Sequence, residues 1–295
     1  MGVLDVGCYS ASLVVVDQSI LRPVVTHKTR LHLDAALTPD NRLRPDGVNQ
    51  VVGAIRNAAH VLDRTDVTGF TAFATSVIRD ARNAEDVLAE VRRRTGAVLH
   101  VMTGEQEARL AYTAARAWFG WTAGPLLVLD VGGGTVEIAA GEDAEPALTL
   151  SLPHGARTVT RRGEFDPTEL RTRLERLPRT DHRVVGCSKV FQQLARLAGA
   201  RPQREGPHLR RHLHLADLRE WIPRLAAMSA DERSRLPGIS KHRARQSLAG
   251  ALVVETLMSA SGRDVVEICP WSTKEGLLLD LQRKAERGDE FCRVA

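Results

Sequence analysis

The sequence predicts an α/β protein made of two similar lobes with a cleft between them, and three observations lead to this prediction. Strand and helix signals alternate along the first third of the chain. A strand ending in Asp, a glycine turn and a returning strand occur near the N-terminus and again near residue 125. With 295 residues, the chain is also long enough for two domains of ordinary size.

The first lobe is expected to cover residues 1–121. Apolar runs and 3.6-residue periodicity predict its elements, which are the strands Val3–Gly7, Leu13–Asp17 and Val24–Leu33, the helix Asp46–Leu62, the strand Gly69–Thr75, the helix Asn83–Arg94, the strand Ala97–Met102 and the helix Glu105–Trp118. The resulting order β-β-β-α-β-α-β-α is that of a ribonuclease-H-like domain.

The second lobe is expected to be another ribonuclease-H-like domain and to cover residues 122–274. Its predicted elements are the strands Pro125–Asp130, Val136–Ala140, Ala147–Leu152, Arg183–Gly186 and Val265–Cys269, and the helices Pro167–Leu177, Lys189–Leu197, Ala216–Met228 and Ser240–Ser261. A last helix over about 275–295 is expected to pack back on the first domain.

Composition limits the possible partners and location. The formal charge of +5 favours anionic ligands without choosing among them. Only 4% of residues are aromatic, which argues against stacking on single-stranded nucleic acid, so no nucleic-acid partner is expected. The sequence has neither a secretory signal nor an apolar run of the roughly 18–20 residues that span a membrane, and we expect a cytoplasmic protein without a membrane partner. The four cysteines lack metal-ligand spacing and are expected to be reduced, mostly buried thiols.

The strongest local signal is Asp-Val-Gly-Gly-Gly-Thr-Val-Glu, over residues 130–137. Three consecutive glycines leave no Cβ in the way and let successive backbone N–H groups point at one phosphate. Asp130 at the strand end is placed to hold a divalent cation, directly or through water. Glu137 lies two residues into the returning strand, from which its carboxylate can reach the same place. A tight hairpin without a ligand is the alternative, because glycine-rich motifs are common.

Three further segments carry candidate site residues. Residues 5–10, Asp-Val-Gly-Cys-Tyr-Ser, repeat the turn and supply a second strand-end carboxylate, Asp5; a structural repeat without phosphate binding is the alternative. Arg79 follows an apolar strand and could bind a phosphate bidentately, or simply pair with Asp80 at the surface. Glu107 lies in the first turn of a helix, where a carboxylate by itself is more typical of a capping residue.

Five sequence blocks carry a resemblance to a known family. In chain order they read AFATSVIRDARN, TGEQEARLAY, LDVGGGTVEI, SLPHGAR and EICPWSTKEGLLL. They resemble the Ppx/GppA family of exopolyphosphatases and guanosine pentaphosphate phosphohydrolases, which has the actin-like ATPase and sugar-kinase fold. The resemblance runs from Val3 to about Leu279, and the chain looks like the short, two-domain form of the family.

The resemblance implies a role for each candidate. Glu107 matches the general base that orients water against the terminal phosphorus, and Asp130 and Glu137 match carboxylates that bind magnesium and orient water. Asp5 matches the carboxylate of the first phosphate loop, and Arg79 matches a phosphate-binding arginine. Mg²⁺ is therefore the expected cofactor, with Mn²⁺ as an alternative. Such a set is chemically coherent, since a phosphoanhydride reacts readily once its charge is neutralised beside an aligned water.

The expected site accordingly has three groups of residues. The catalytic residues are Glu107 and Glu137. The metal ligands are Asp5, Asp130 and Glu137. The phosphate-binding residues are Gly7, Cys8, Tyr9, Ser10, Arg79, Gly132, Gly133, Gly134 and Thr135.

The first turn departs from the family pattern. The family usually has Asp-x-Gly-Ser-Asn-Ser followed by Arg or His, whereas this chain has Cys8, Tyr9, Ser10 and Ser12 at the corresponding positions. A thiol, a phenol and a small hydroxyl thus replace polar or cationic phosphate contacts. Thr135 replaces the usual Ser of the second turn, which is a mild change. The departures predict a weakened first phosphate site.

Three functions are compatible with this sequence. The first is metal-dependent release of the terminal phosphate of inorganic polyphosphate, or of the 5′ γ-phosphate of guanosine pentaphosphate. The second is a catalytically impaired protein that binds phosphate or guanosine penta- or tetraphosphate as a sensor or partner. The third is a small-molecule kinase, which the Glu107 block disfavours. The resemblance further implies a homodimer.

Overall fold

The computed structural model describes residues 1–17, 19–65, 67, 69–175 and 181–287. The chain divides into two compact units, of which the first is Met1–Thr103 with the chain from Leu277 onward and the second is Gly104–Gly276. The division falls before the helix Gly104–Phe119, whereas the predicted boundary at residues 121 and 122 lies after it. The helix is grouped with the second unit because it packs against the sheet of that unit.

The first unit is built on a five-stranded mixed sheet in the order β3-β2-β1-β4-β5. Its strands are β1 (Gly2–Val6), β2 (Ser10–Val15), β3 (Val25–Arg30), β4 (Phe70–Ala74) and β5 (Leu99–Val101). Its helices are α1 (Pro45–Leu62), α2 (Ser76–Arg79) and α3 (Ala84–Thr95). Strand β1 is antiparallel to β2 and parallel to β4, so the chain reverses at the β1–β2 turn.

Local sequence explains the two long helices of this unit. Helix α1 begins with Pro45, whose fixed φ suits the first helical position, and buries an apolar face that includes Val51, Val52 and Ile55. Helix α3 ends at Gly96, which adopts a left-handed φ of 72° and donates its N–H to the carbonyl of Arg92. Both helices contribute to one core with the apolar residues of β1, β2 and β4.

The second unit is built on a six-stranded mixed sheet in the order β10-β11-β9-β6-β7-β8. Its strands are β6 (Leu126–Val131), β7 (Val136–Gly141), β8 (Leu148–Leu152), β9 (Arg183–Gly186), β10 (His212–His214) and β11 (Val265–Ile268). Its helices are α4 (Gly104–Phe119), α5 (Ala156–Arg162), α6 (Thr168–Glu175), α7 (Ser188–Leu197), α8 (Leu215–Ala227), α9 (Ala230–Arg233) and α10 (Ser247–Ala260). A last helix, α11 (Thr273–Arg287), begins in the second unit and continues into the first.

Burial in the second unit is deepest at its centre. All six residues of β6 are buried, as expected for a strand covered on both faces. Helix α10 is apolar around most of its circumference and packs against α5, α6, α7 and α8. The ends of the central strands are therefore held in place by packed apolar layers on both sides.

The predicted order of elements is confirmed, and the structure adds short elements that were not predicted, among them β10 and α9. Helix α5 was not predicted, because it has only seven residues and a polar outer face. The predicted helix Ser240–Ser261 begins as a 3₁₀ helix, Lys241–Gln246, and becomes α-helical only at Ser247. The short helix α2 follows β4 directly. Residues 176 and 177 of the predicted helix Pro167–Leu177 lie outside the described residues.

The cysteines were expected to be reduced and mostly buried, and no helix was expected to span a membrane. Cys187 and Cys269 are fully buried and Cys8 is half-buried, and all three are reduced thiols. Cys292 lies outside the described residues. In the described ranges, no helix is both long enough and apolar enough to cross a lipid bilayer.

Candidate active site

The chemistry-bearing residues of the second unit gather where its parallel strands end. Strands β6, β9 and β11 run in the same direction, with Leu129 beside Gly186 and Gly186 beside Ile268. Asp130 follows Leu129, Cys187 follows Gly186 and Cys269 follows Ile268. These three residues therefore lie side by side at the carboxyl ends of the strands. Carboxyl ends of parallel strands are a frequent ligand site in α/β proteins.

The second glycine turn, Gly132–Thr135, connects β6 to β7. Asp130 and Glu137 lie opposite each other on the two strands that the turn connects. The N–H of Gly132 donates to the carbonyl of Thr135 at 2.9 Å and closes the turn. The predicted hairpin with a strand-end Asp and a facing Glu is confirmed.

Helix α5 supports the back of this turn. The N–H of Ala156 donates to the carbonyl of Gly132 at 3.0 Å, and the N–H of Arg157 donates to the carbonyl of Gly133 at 2.9 Å. Such close backbone contact requires glycine at the helix start, because a Cβ at Gly155 would overlap the backbone of Gly134. The SLPHGAR block therefore holds the second glycine turn in shape.

Three carboxyl groups are buried around the second glycine turn. The exposed fraction is 7% for Glu107, 7% for Asp130 and 4% for Glu137. Burial raises the pKa of Glu137 well above its usual value, and the neighbouring charges of Glu107 and Asp130 raise it further. Hydrogen bonds from the side chains of Thr135 and Ser151 partly oppose this rise. Glu137 is therefore close enough to Glu107 and to Asp130 for their negative charges to repel its own.

Asp130 has its own set of neighbours. Burial raises its pKa from 3.8 to about 6, while a hydrogen bond from Ser272 and the positive charge of Arg243 act in the opposite direction. The hydroxyl of Ser272 lies 2.5 Å from Asp130 Oδ2. Ser272 and Arg243 therefore favour the ionised form that a cation would bind.

Helix α4 brings Glu107 to this site through a close approach at its first residue. A Cβ at Gly104 would overlap the Ser151 side chain, so only glycine lets the helix begin here. Ser151 donates from Oγ to Glu137 Oε1 at 3.1 Å. The glycine of the TGEQEAR block thus links the helix that carries Glu107 to the strand pair that carries Glu137.

The turn between β1 and β2 in the first unit, Gly7–Ser10, is named here the first glycine turn. The N–H of Gly7 donates to the carbonyl of Ser10 at 3.0 Å, and Asp5 at the strand end is half-buried. Cys8 and Ser10 are half-buried, whereas Tyr9 is only 8% exposed. The predicted repeat of strand, glycine turn and strand is therefore confirmed in its backbone form.

Arg79 lies at the same edge of the first sheet as this turn. Strands β1 and β4 are parallel and pair Val6 with Ala74, and helix α2 follows β4. The Arg79 guanidinium donates to Asp80 Oδ1 at 2.8 Å and to the carbonyl of Met102 at 3.2 Å. The surface pairing with Asp80 is thus present, and the phosphate-binding role stays a prediction.

Acidic side chains are the candidate ligands for a metal ion. Across the described ranges, no group of three or more His, Cys, Asp or Glu side chains could hold a metal ion by itself. Asp5 belongs to the first unit, and Asp130 and Glu137 belong to the second. The two carboxyl groups of the second unit nevertheless suit a hard cation that keeps part of its water, because their mutual repulsion would be relieved.

Sequence reasoning missed three residues that contact or tune this site: Ser151, Arg157 and Ser272. Ser272 lies within the EICPWSTKEGLLL block, and Arg157 lies within the SLPHGAR block. The sequence of these blocks does not show which residues the two side chains contact. Arg243, which tunes Asp130, lies in the basic run Lys241–Arg245, which could line a polyphosphate channel but is more typical of a solvated surface. Ser151 had no sequence signal of its own.

Comparisons with known proteins agree with the resemblance. The model of the "Ppx/GppA phosphatase family" matches residues 13–285. An uncharacterized protein of Streptomyces coelicolor is 42% identical, over 94% of this chain and 88% of its own length. Exopolyphosphatase 1 of Mycobacterium tuberculosis is 39% identical, over 95% of this chain and 87% of its own length.

Two more distant matches extend this picture. The guanosine-5′-triphosphate,3′-diphosphate pyrophosphatase of Aeromonas hydrophila is 24% identical, over 94% of this chain and 58% of its own length. The crystal structure of the Aquifex aeolicus member of the Ppx/GppA family is 25% identical, covers 96% of this chain and 97% of its own, and superposes with a TM-score of 0.78. The predicted α/β fold of the Ppx/GppA proteins is confirmed, and the chain belongs to the Ppx/GppA phosphatase family.

Proposed function

We propose that this protein hydrolyses the terminal phosphoanhydride bond of inorganic polyphosphate. The observation that carries the proposal is a group of three buried carboxyl groups at a glycine turn, in which Glu107 and Asp130 both repel Glu137. Burying negative charges together is costly unless a cation or a reacting group compensates them. Family membership identifies the reaction class that such a group would serve.

In the proposed reaction, Glu107 accepts a proton from a water molecule while the water oxygen attacks the terminal phosphorus. The bridging P–O bond breaks, and the chain shortened by one phosphate leaves with the electron pair of that bond. Ser151 keeps the Glu137 carboxylate oriented, and Ser272 does the same for Asp130. The backbone N–H groups of the second glycine turn bind the oxygens of the terminal phosphate.

Magnesium is part of this proposal, and Asp130 and Glu137 are the residues that would hold it. When bound, Mg²⁺ would neutralise charge on the phosphates and on both carboxylates. The raised pKa of Glu137 supports this assignment, because a carboxyl group that resists ionisation among negative neighbours gains most from a cation. The roles of Asp5, Arg79 and the first glycine turn stay predictions.

We propose polyphosphate, and not guanosine pentaphosphate, as the main substrate. The relative named exopolyphosphatase is 39% identical and matches most of its own length, whereas the one named guanosine-5′-triphosphate,3′-diphosphate pyrophosphatase is 24% identical and has much additional chain. A cytoplasmic homodimer is also proposed, on the resemblance alone, and the molar mass in solution tests the dimer.

Phosphate release by the wild-type protein tests the proposed function. Short polyphosphate, long polyphosphate and guanosine pentaphosphate should each be assayed with Mg²⁺, with Mn²⁺ and with EDTA. We expect release from polyphosphate that requires a cation and no acceptor. Tight binding without release would instead identify a sensor, and phosphate transfer only in the presence of an acceptor would identify a kinase.

A further inference from the structure

Arg157, the second residue of α5, has a buried guanidinium whose Nη1 atom lacks a partner. The residue is only 7% exposed, and in the described part of the chain no atom accepts a hydrogen bond from Nη1. A buried cationic donor without an acceptor is unfavourable and rare in folded proteins. A ligand anion that binds there would remove this cost.

The position of the guanidinium points to the second glycine turn. A Cβ placed on Gly133 would lie 3.7 Å from Arg157 Nη1 and 3.8 Å from Arg157 Cβ. The Arg157 side chain thus lies along the glycine and does not extend into solvent. The guanidinium is therefore in van der Waals range of the second glycine turn at Gly133.

The backbone of the turn supplies further donors. The carbonyls of Gly132 and Gly133 accept N–H groups from α5. Since a trans peptide points its C=O and the following N–H in opposite directions, the N–H groups of Gly133 and Gly134 point away from this helix. Where the chain is described, no backbone carbonyl accepts from these two N–H groups. The turn and the arginine thus both present hydrogen-bond donors beside Gly133.

We propose that Arg157 binds the same phosphate group as the second glycine turn, donating from Nη1. This inference rests on the proposed function for the identity of the ligand, the terminal phosphate of a polyphosphate chain. A guanidinium is well suited to the task because it remains charged when buried and donates in a fixed planar geometry to phosphate oxygens. Arg157 is thus a phosphate-binding residue, and water activation stays with Glu107.

Calorimetry with inorganic phosphate and with tripolyphosphate tests the assignment directly. Loss of one charge-assisted hydrogen bond should weaken binding of both by about 10- to 100-fold in Arg157→Ala. Arg157→Lys should recover part of this loss, since it restores the charge without the planar donor geometry. Arg162→Ala is the matched control, because Arg162 lies on the same helix but is exposed, and it should bind as the wild type does.

Thermal unfolding provides a second readout that does not depend on activity. Phosphate should raise the Tm of the wild type and of Arg162→Ala, and this rise should be much smaller in Arg157→Ala. If the alanine variant does not fold, Arg157→Met keeps the packing of the aliphatic stem and replaces it in both experiments.

The outcomes separate this inference from the proposed function. Arginine-dependent phosphate binding without any polyphosphate hydrolysis would support the role of Arg157 while the proposed function fails. Polyphosphate hydrolysis with an unchanged phosphate Kd and an unchanged Tm rise in Arg157→Ala would overturn the role of Arg157 while the proposed function stands. A wild type that binds neither phosphate nor tripolyphosphate would overturn it as well.

Discussion

The two glycine turns share a backbone design but differ in the chemistry that they carry. In each, a Gly N–H donates to the carbonyl three residues later, from Gly7 to Ser10 and from Gly132 to Thr135. Each follows a strand whose penultimate residue is Asp. The residue opposite that Asp on the returning strand is Glu137 in the second unit but Ser12 in the first. The repeat therefore preserves the fold while only one copy holds paired carboxyl groups.

Side chains inside the turns differ as strongly. The first glycine turn carries Tyr9, whose ring is almost entirely buried, at the place where the second has Gly134. The carbonyl of Tyr9 accepts from Leu31, so its backbone is also held by the neighbouring strand. The comparison teaches that a repeated backbone does not imply a repeated site, because function depends on the side chains that each copy presents.

The largest expected effect is the loss of catalysis in Glu107→Gln. Removing a general base should lower turnover on polyphosphate by about 10²- to 10⁴-fold. Because the variant also removes a buried negative charge beside Glu137, its Tm should not fall. Phosphate release and thermal unfolding should be measured together.

Glu105→Gln is the control, since it lies in the same first turn of α4 but is exposed. It should keep wild-type turnover. If both variants were equally active, a catalytic role for Glu107 would be excluded.

The second largest effect is expected in Asp130→Asn, which removes the charge of this carboxylate. Without this carboxylate, cation-dependent turnover should fall by two or more orders of magnitude, since metal stabilisation is worth several kcal/mol. The same Asp130→Asn change should stabilise the metal-free protein above pH 6. The reason is that burial raises the pKa of Asp130 to about 6, so the folded protein holds the proton more tightly than the unfolded chain does.

The sign of this pH dependence follows from the two pKa values of Asp130. Below pH 3.8 the carboxyl group is neutral in both states and costs nothing. Between pH 3.8 and about 6 the unfolded chain releases this proton while the folded protein keeps it, so the folded state becomes less stable, by about 1–3 kcal/mol once the pH exceeds 6. Unfolding in EDTA at pH 4 and at pH 7.5 checks this, and an equal Tm difference at both pH values would contradict it.

Gly155→Ala tests whether the second glycine turn needs its backbone support. The added Cβ would overlap the turn, and the forced shift should cost about 1–3 kcal/mol of unfolding free energy and reduce activity. Gly53→Ala in α1 is the matched control, because a Cβ there meets no atom within 4 Å. Denaturant unfolding of both variants gives the comparison, and equal stability would show that the turn can move freely.

Ser272→Ala should have a smaller, pH-dependent effect. The Ser272 hydrogen bond lowers the pKa of Asp130, so its loss should raise that pKa further above its usual range. If Asp130 must be ionised for turnover, the acid limb of the pH–rate profile should then move to higher pH. Ser272→Thr retains the hydroxyl and should leave the limb in place. An acid limb unchanged in the alanine variant would show that the hydrogen bond does not matter.

The smallest effect is expected at the first glycine turn. A Cβ on Gly7 would lie 3.5 Å from the carbonyl oxygen of Ser10, an ordinary contact, so Gly7→Ala should change stability by no more than about 0.5 kcal/mol. Denaturant unfolding measures this. A loss as large as that of Gly155→Ala would mean that both turns are equally constrained.

Much of the fold was predictable because local signals were strong. Apolar runs and periodicity predicted the order of strands and helices along the chain, and the repeated Asp-x-Gly turn predicted the division into two similar halves. Helix α5 could not be predicted, since a seven-residue helix has too few turns for a periodic pattern. Its place against the second glycine turn is set by close packing at Gly155, which no local sequence pattern reports.

For the site itself, the sequence predicted three carboxyl groups that the structure brings together. Glu107, Asp130 and Glu137 stand in blocks whose order resembles one family, and their positions at a helix start and at two strand ends follow from local periodicity. Only tertiary structure decided what surrounds them. Ser272 contacts Asp130 across 142 residues of chain, and Arg157 lies along Gly133 from a helix that follows another strand. Burial, pKa shifts and unpaired donors depend on which distant segments pack together, so they emerge only when the chain has folded.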